Sequence, residues 1–286
     1  MSRKISTITT IKYIFKSTFI SAFTSPSPII HHLSLYISIN TLPNKNIKNN
    51  KSGGYNMKVI QIRVKILLKE DTNASDIQSK VCSLIDYSFS KRKELLEMHK
   101  KNEYKFYCFD FPYPVESDKI YKKGKIYTLT IRTVNLDLGE FFSNSLLNIE
   151  THSIKALSSE IKIISQRPIE KIYSLTPAII KNENGYWRDI MSIDDYERRI
   201  KENLIKKYNK ITGEKMKEDF DLFNKIDVKN KKPISVKYKD IKLLGDKINL
   251  YISDDKRAQK LAYMALGAGI MEMNSRGCGF VNYKFL

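Results

Sequence analysis

The segment MKVIQIRVKILL, which begins at Met57, limits the fold more than any other stretch of the chain. Ile60, Ile62, Val64 and Ile66 alternate with Gln61, Arg63 and Lys65. A period of two sends apolar side chains to one face of an extended strand and polar ones to the other. A strand of this kind is half-buried, so its sheet is covered by helices on a single face. The signals that follow alternate in kind. Ser75-Asp76-Ile77-Gln78 has the form of a capping box, and Ile77, Val81, Leu84 and Ile85 then recur at helical spacing. YKFYCFDF (from Tyr104) and KIYTLTIRTV (from Lys125) read as two strands joined through a turn that contains Gly124. Residues 138–147 read as a second helix, and EIKIIS (from Glu160) as a fourth strand.

That order resembles a ferredoxin-like unit, an antiparallel sheet with two helices on one face. In the second half, IYSLTPAIIK reads as a first strand. A basic helix over 193–211 carries Ile200, Leu204 and Tyr208 on one stripe. PISVKYKDIKLL and DKINLYIS read as a hairpin. A helix over 254–266 turns Ala258, Leu261, Ala262 and Ala265 inward, Gly267 stands at its left-handed cap, and GFVNYKF is a last strand. The expected fold class is α+β: two tandem ferredoxin-like (RRM-like) βαββαβ domains, at 57–168 and 169–286.

Residues 1–56 do not fit this scheme. They hold seven Lys or Arg, no Asp or Glu, and no clean period. Lys16, Pro26 and Pro28 interrupt the best apolar run, so none is long enough to span a bilayer. Met57 is preceded by Lys51-Ser52-Gly53-Gly54-Tyr55-Asn56. Gly-Gly can be encoded GGA-GGT, a ribosome-binding core, with an A/T-rich spacer after it. The leader is therefore expected to be disordered, or translated upstream sequence with Met57 as the native start. An intact mass of the protein made from its own locus decides between these.

Lys and Arg number 50 against 31 Asp and Glu, a formal charge of +19 that is still +12 without the seven leader cations. This excess favours a polyanionic partner, nucleic acid before a membrane surface. Cys82, Cys108 and Cys278 are far apart and odd in number, which argues against a disulfide framework and a zinc site and fits a reducing cytoplasm. No metal or other cofactor is expected.

The end of the chain, LGAGIMEMNSRGCGFVNYKFL, places four glycines within residues 267–279. It is neither a Walker loop, which needs Gly-Lys-Ser/Thr, nor a dinucleotide fingerprint, whose third glycine would fall on Glu272. Two readings stand side by side. The backbone N–H groups face an anion, with Asn274 and Ser275 as donors and Arg276 as charge, or the glycines relieve a crowded turn. Residues 276–283 also approach the third-strand signature of RNA-recognition motifs, but that strand needs a further helix and strand after it.

GAGIMEMNSRGCGF after an Ala/Leu-rich helix resembles the terminal glycine-rich loop of CRISPR repeat-processing endoribonucleases of the RAMP superfamily. EMHKKNEYKFYCFDF resembles that family's histidine, followed by a Lys-aromatic-Phe strand, here His99, Lys105, Phe106 and Phe109. Cys278 stands where the family usually has Phe. The resemblance covers nearly all of 57–286. It implies tandem ferredoxin-like domains, CRISPR repeat RNA or its crRNA product as partner, and a place in the cytoplasm, alone or in a larger surveillance complex.

RNA supplies its own nucleophile, the ribose 2′-OH. The enzyme must align it, remove its proton, neutralise the phosphate and protonate the 5′-oxygen. A group titrating near pH 7 suits the proton transfers. Outside the leader the histidines are His99 and His152; His99 lies among bases and His152 in a polar connection. The expected catalytic set is His99 as general base or acid, Lys105 against the phosphorane charge, and Tyr87 as a positioning or proton-sharing group, with Tyr104 a substitute. The expected RNA-binding set is Gly267, Gly269, Asn274, Ser275, Arg276, Gly277 and Gly279. The rival reading is a non-catalytic guide-RNA-binding subunit of the same superfamily. A DNA-binding regulator is weaker, because no helix-turn-helix pattern is present.

Overall fold

The computed structural model describes residues 56–286 apart from 148, 183, 184 and 240. The expectations for residues 1–55 lie outside the described residues. The first half contains β1 (Val59–Leu68), β2 (Thr72–Asn73), α1 (Ala74–Phe89), α2 (Lys93–Lys100), β3 (Tyr107–Phe109), β4 (Ile120–Tyr121), β5 (Ile126–Thr133), α3 (Leu136–Ser145) and β6 (Ile154–Ile164). The second contains β7 (Ile169–Ser174), β8 (Ala178–Ile179), α4 (Trp187–Ile190), α5 (Ile193–Thr212), β9 (Phe223–Val228) and β10 (Ile234–Tyr238). It continues with β11 (Ile241–Asp246), β12 (Ile248–Ile252), α6 (Lys256–Ala268), a 3-10 turn (Asn274–Arg276) and β13 (Val281–Phe285).

The first sheet has the order β3-β5-β1-β6 and is antiparallel throughout. Ile62 lies opposite Ile131 and Val64 opposite Leu129, so the apolar rows coincide, while Arg63 and Lys65 are exposed. α1 buries Ile77, Val81, Leu84, Ile85 and Phe89 on this face, and α3 adds Leu138, Phe141 and Phe142. Each such side chain contributes about 1.5–3 kcal/mol, so eight of them hold both helices down. The second sheet has the order β13-β7-β12-β9, also antiparallel, with α5 and α6 supplying its core. In each sheet the first and third strands are central and the second and fourth are at the edges, which is the ferredoxin-like arrangement. α5 starts where Ser192 accepts from the Asp195 N–H (3.1 Å) and ends at left-handed Gly213 (φ 74°).

Several expectations need correction. The Ser75–Gln78 capping box is not formed: α1 begins two residues earlier than that box would place it, Asn73 is its N-cap without a side-chain bond, and the Gln78 amide donates to the Arg276 carbonyl instead. His99 lies after the first helix, on a further short helix that the residues did not announce, α2. IYSLTPAIIK splits into the end of β7 and β8, and β8 pairs with β11. The hairpin is β10–β11, whereas the INLYI segment is β12, a central strand paired with β9, which the pattern of residues did not reveal. Gly267 is not a cap. α6 runs through it to Ala268 and is capped by Gly269 (φ 71°). A Cβ at Gly267 would lie 2.9 Å from the Thr133 carbonyl carbon, so glycine is needed for close approach to the end of β5.

α6 therefore belongs to both sheets. It touches β1, β3 and β5 as well as β7, β12 and β13. Its Tyr263 hydroxyl accepts from the Val59 N–H (3.1 Å) and donates to the Ile164 carbonyl (2.6 Å). Arg132, buried on β5, joins the sheets a second time. It donates to Gln61 Oε1 (2.9 Å), the Val281 carbonyl (2.7 Å) and Asn282 Oδ1 (3.3 Å), with its guanidinium 4.6 Å from the Phe280 ring centre.

Candidate active site

The glycine-rich loop runs from the end of α6 to β13. Gly269, Met271, Met273, Gly277 and Gly279 all have positive φ, between 55° and 81°. A Cβ on Gly279 would lie 2.1 Å from the Ile270 carbonyl oxygen, and one on Gly277 2.7 Å from the Phe109 ring. The four glycines are buried. Most of the loop's N–H groups are spent inside the protein: Ile270 on the Gly279 carbonyl (2.9 Å), Glu272 on Ile179 (3.1 Å), Gly277 on Asn274 (3.0 Å) and Gly279 on Pro177 (2.8 Å). The expected row of free backbone donors at Gly267, Gly269, Gly277 and Gly279 is thus replaced by close packing, the crowded-turn reading. Asn274 is a clasp rather than a surface donor: its Nδ2 donates to the Ile270 (2.8 Å) and Cys278 (3.0 Å) carbonyls. The Ser275 carbonyl accepts from Tyr107 at 3.5 Å.

A residue outside the expected set completes the clasp. Lys207 of α5 is 2% exposed, and its ammonium donates to the Gly269 and Met271 carbonyls (2.8 Å each) and to Asn274 Oδ1 (2.7 Å). Burial pulls its pKa down to about 7, against the opposing pull of Cys108 and Glu272. One signal was available. Asn203 and Lys207 fall on the same stripe as Ile200, Leu204 and Tyr208, and polar residues on an apolar stripe are buried with it.

Beside the loop lies a cleft of about 730 Å³. Its walls include His99, Tyr104 and Lys105 from the segment after α1, Asn203 and Lys207 from α5, and Arg276 from the loop. Lys101, Lys181 and Lys210 add positive charge to its lining, fitting a polyanion. His99 occupies a formed site. Its Nε2 is 3.2 Å from Asp86 Oδ1 and 3.0 Å from an Arg276 nitrogen, and Phe89 stands 5.5 Å from its ring centre. Arg276 also donates to Asp86 Oδ2 (2.7 Å), so α1, α2 and the loop meet in one ion-pair cluster. His99 Nδ1 is covered and has no hydrogen-bond partner. Burial lowers the His99 pKa, Arg276 and Lys105 lower it further, and Asp86 opposes them. For Arg276, burial works against the charge, but the Asp86 carboxylate prevails and its pKa moves up.

Lys105 donates to the Met98 and Lys101 carbonyls, so it ends α2 and steadies the turn that carries His99. Burial lowers its pKa, with Glu103 opposing. Tyr87 faces solvent, 44% exposed, accepts from Lys91 (3.0 Å) and is not part of the cleft wall. Tyr104 is part of it, as is Tyr107. His152 is far more open, its side chain 91% exposed beside Glu70. Among the described residues no set of three or more His, Cys, Asp or Glu side chains could hold a metal ion, and no helix is long and apolar enough to cross a membrane.

Residues 160–283 match the family described as CRISPR associated protein Cas6, C-terminal. A curated relative, the CRISPR-associated endoribonuclease Cas6 2 of Methanocaldococcus jannaschii, is 23% identical over 241 residues, covering 78% of this chain and 99% of that protein. Among solved structures, one described as an RAMP protein binding different RNA substrates aligns with a TM-score of 0.60 at 19% identity, over 79% of this chain and 99% of its own. Another, described as CRISPR associated protein Cas6, aligns with a TM-score of 0.58 at 18% identity over the same shares. At these identities the structures speak for the fold alone, and they share the ferredoxin-like arrangement described above. Over residues 160–283 the sequence is thus similar to the C-terminal part of the CRISPR-associated Cas6 proteins, and over most of its length the chain is similar to a Cas6 endoribonuclease.

Proposed function

We propose that this protein is a metal-independent endoribonuclease that cuts CRISPR repeat RNA by 2′-OH attack, leaving a 2′,3′-cyclic phosphate and a 5′-hydroxyl. The observation that carries this reading is the setting of His99: a largely buried imidazole on the wall of a basic cleft, held by an acid and an arginine. Its lowered pKa leaves the ring neutral at pH 7, the form a general base requires. In the free protein Nε2 faces both Asp86 and Arg276. A phosphate is a better partner for Arg276 than a neutral imidazole. Movement of that guanidinium to the scissile phosphate frees Nε2 to take the 2′-OH proton and supplies charge where the phosphorane develops. Lys105 and the cleft lysines add to that charge, and Tyr104 is the better placed of the two candidate tyrosines.

One observation favours the non-catalytic alternative, a guide-RNA-binding subunit: both His99 nitrogens are covered or engaged in the free protein. Cleavage of repeat RNA in EDTA separates the two. The expected result is cutting that survives the chelator and a 2′-deoxy substrate that binds but stays intact. His99→Ala should lower the rate roughly 10²–10⁴-fold with little change in binding. Loss of activity in EDTA, cutting of the deoxy substrate, or equal losses of rate and binding would each defeat the mechanism.

A further inference from the structure

The cleft wall contains a side chain with unused hydrogen-bonding capacity. Asn203 is 8% exposed and lines the cleft, and its Oδ1 is covered with no hydrogen-bond partner. Covered acceptors without partners are rare in folded proteins, so this one points to a donor carried by a ligand. A second feature agrees. The Tyr104 ring, 37% exposed, lines the same cleft, and the Lys207 ammonium stands 5.9 Å from its centre. Lys101 and Lys181 line it too, and their charges can meet phosphates. An open aromatic face, an unspent amide and cations together match what an unstacked nucleotide offers: a π-face, a polar base edge and a phosphate.

We propose that Tyr104 and Asn203 form a nucleobase subsite that sets sequence preference. The base stacks on Tyr104. Its exocyclic amine donates to Asn203 Oδ1, and its neighbouring ring nitrogen accepts from Nδ2. Adenine and cytosine present that edge, and an amide side chain matches it with two hydrogen bonds. Asn203 is thus a specificity residue and takes no part in the proton transfers. This rests on the RNA-cleaving reading above, because the occupant is a nucleotide of the same strand.

The test uses the full chain and repeat RNAs that carry a 2′-deoxyribose at the cut, each with one position replaced in turn by every base. Wild type should prefer adenine or cytosine at one position by about tenfold, the worth of a good two-bond contact. Asn203→Ala should remove that preference and leave the others. Asn203→Asp, which keeps the shape but puts an acceptor where the amide Nδ2 donates, should also alter it, and melting curves identify which variants are folded. Tyr104→Ala should weaken all sequences alike, by about tenfold. Preferences unchanged in a folded Asn203 variant would overturn the subsite and leave the nuclease reading intact. An Asn203-dependent preference for guanine or uracil would overturn the assigned edge. Failure of wild type to bind any repeat RNA would overturn both.

Discussion

Replacing Lys207 by Met tests whether one buried cation seats the glycine-rich loop. The change keeps the length of the side chain and removes three donors. The Gly269 carbonyl, the Met271 carbonyl and Asn274 Oδ1 then lose the partner at 2.7–2.8 Å. Each buried acceptor left unpaired costs about 1–3 kcal/mol. Against this, the variant no longer has to bury an ammonium, which costs several kcal/mol even in a relaxed site. The balance is a loss of about 3 kcal/mol, or roughly 6–12 °C in melting temperature for a chain of this size. The pH dependence adds a signed test. The native pKa is depressed to about 7, whereas the unfolded lysine keeps its ordinary value. Below pH 7 both states hold the proton and the full burial penalty is present. Between about 7 and 10 the native state sheds the proton and the unfolded state keeps it, so this group makes the protein more stable as pH rises. Denaturant unfolding at pH 6 and pH 9 should show the gap between wild type and Lys207→Met widening at the higher pH. A variant melting within about 2 °C of wild type, or a gap that narrows with pH, would refute the reasoning.

Arg276→Met should raise the His99 pKa, since Arg276 lowers it and the freed Asp86 raises it, so the acidic limb of the pH–rate profile should move to higher pH. An unmoved limb would separate His99 from the rate. Gly279→Ala should destabilise far more than Gly124→Ala, although both have positive φ: the first Cβ meets a carbonyl oxygen at 2.1 Å, the second meets nothing within 4 Å. Urea midpoints should show about 1 kcal/mol lost at Gly124 and several times that at Gly279. Tyr87→Phe should leave cleavage unchanged, because its hydroxyl meets Lys91 outside the cleft; a large fall in rate would restore Tyr87 to the catalytic set.

β1 was readable from the residues because one of its faces is covered and the other is wet, so its alternation is complete. β9 was not, because FNKIDV lies at a sheet edge with half-buried residues on both faces and has no clean period. The misjoined hairpin has a local cause. Only Lys247 separates β11 from β12, and the break is marked by Gly245, where a Cβ would lie 2.4 Å from the Ala178 carbonyl oxygen. That contact comes from a distant strand and is invisible in the local pattern. In the loop, the residues announced positive φ but not what the freedom was for, since the carbonyl that crowds Gly267 comes from β5 and the one that crowds Gly279 comes from Ile270 at the far end of the same loop. On α1 the sequence pointed to Tyr87 and did not single out Asp86, which stands one residue away, a rotation of about 100°. That step turns the carboxylate toward the loop and the phenol toward solvent.

The sharing of α6 between the two sheets bears on how the protein comes apart. Beads on a string would give two calorimetric peaks, and a proteolytic nick in the exposed connection 165–168 would let them drift away from each other. Here the nicked halves should stay clasped and melt together as a single endotherm.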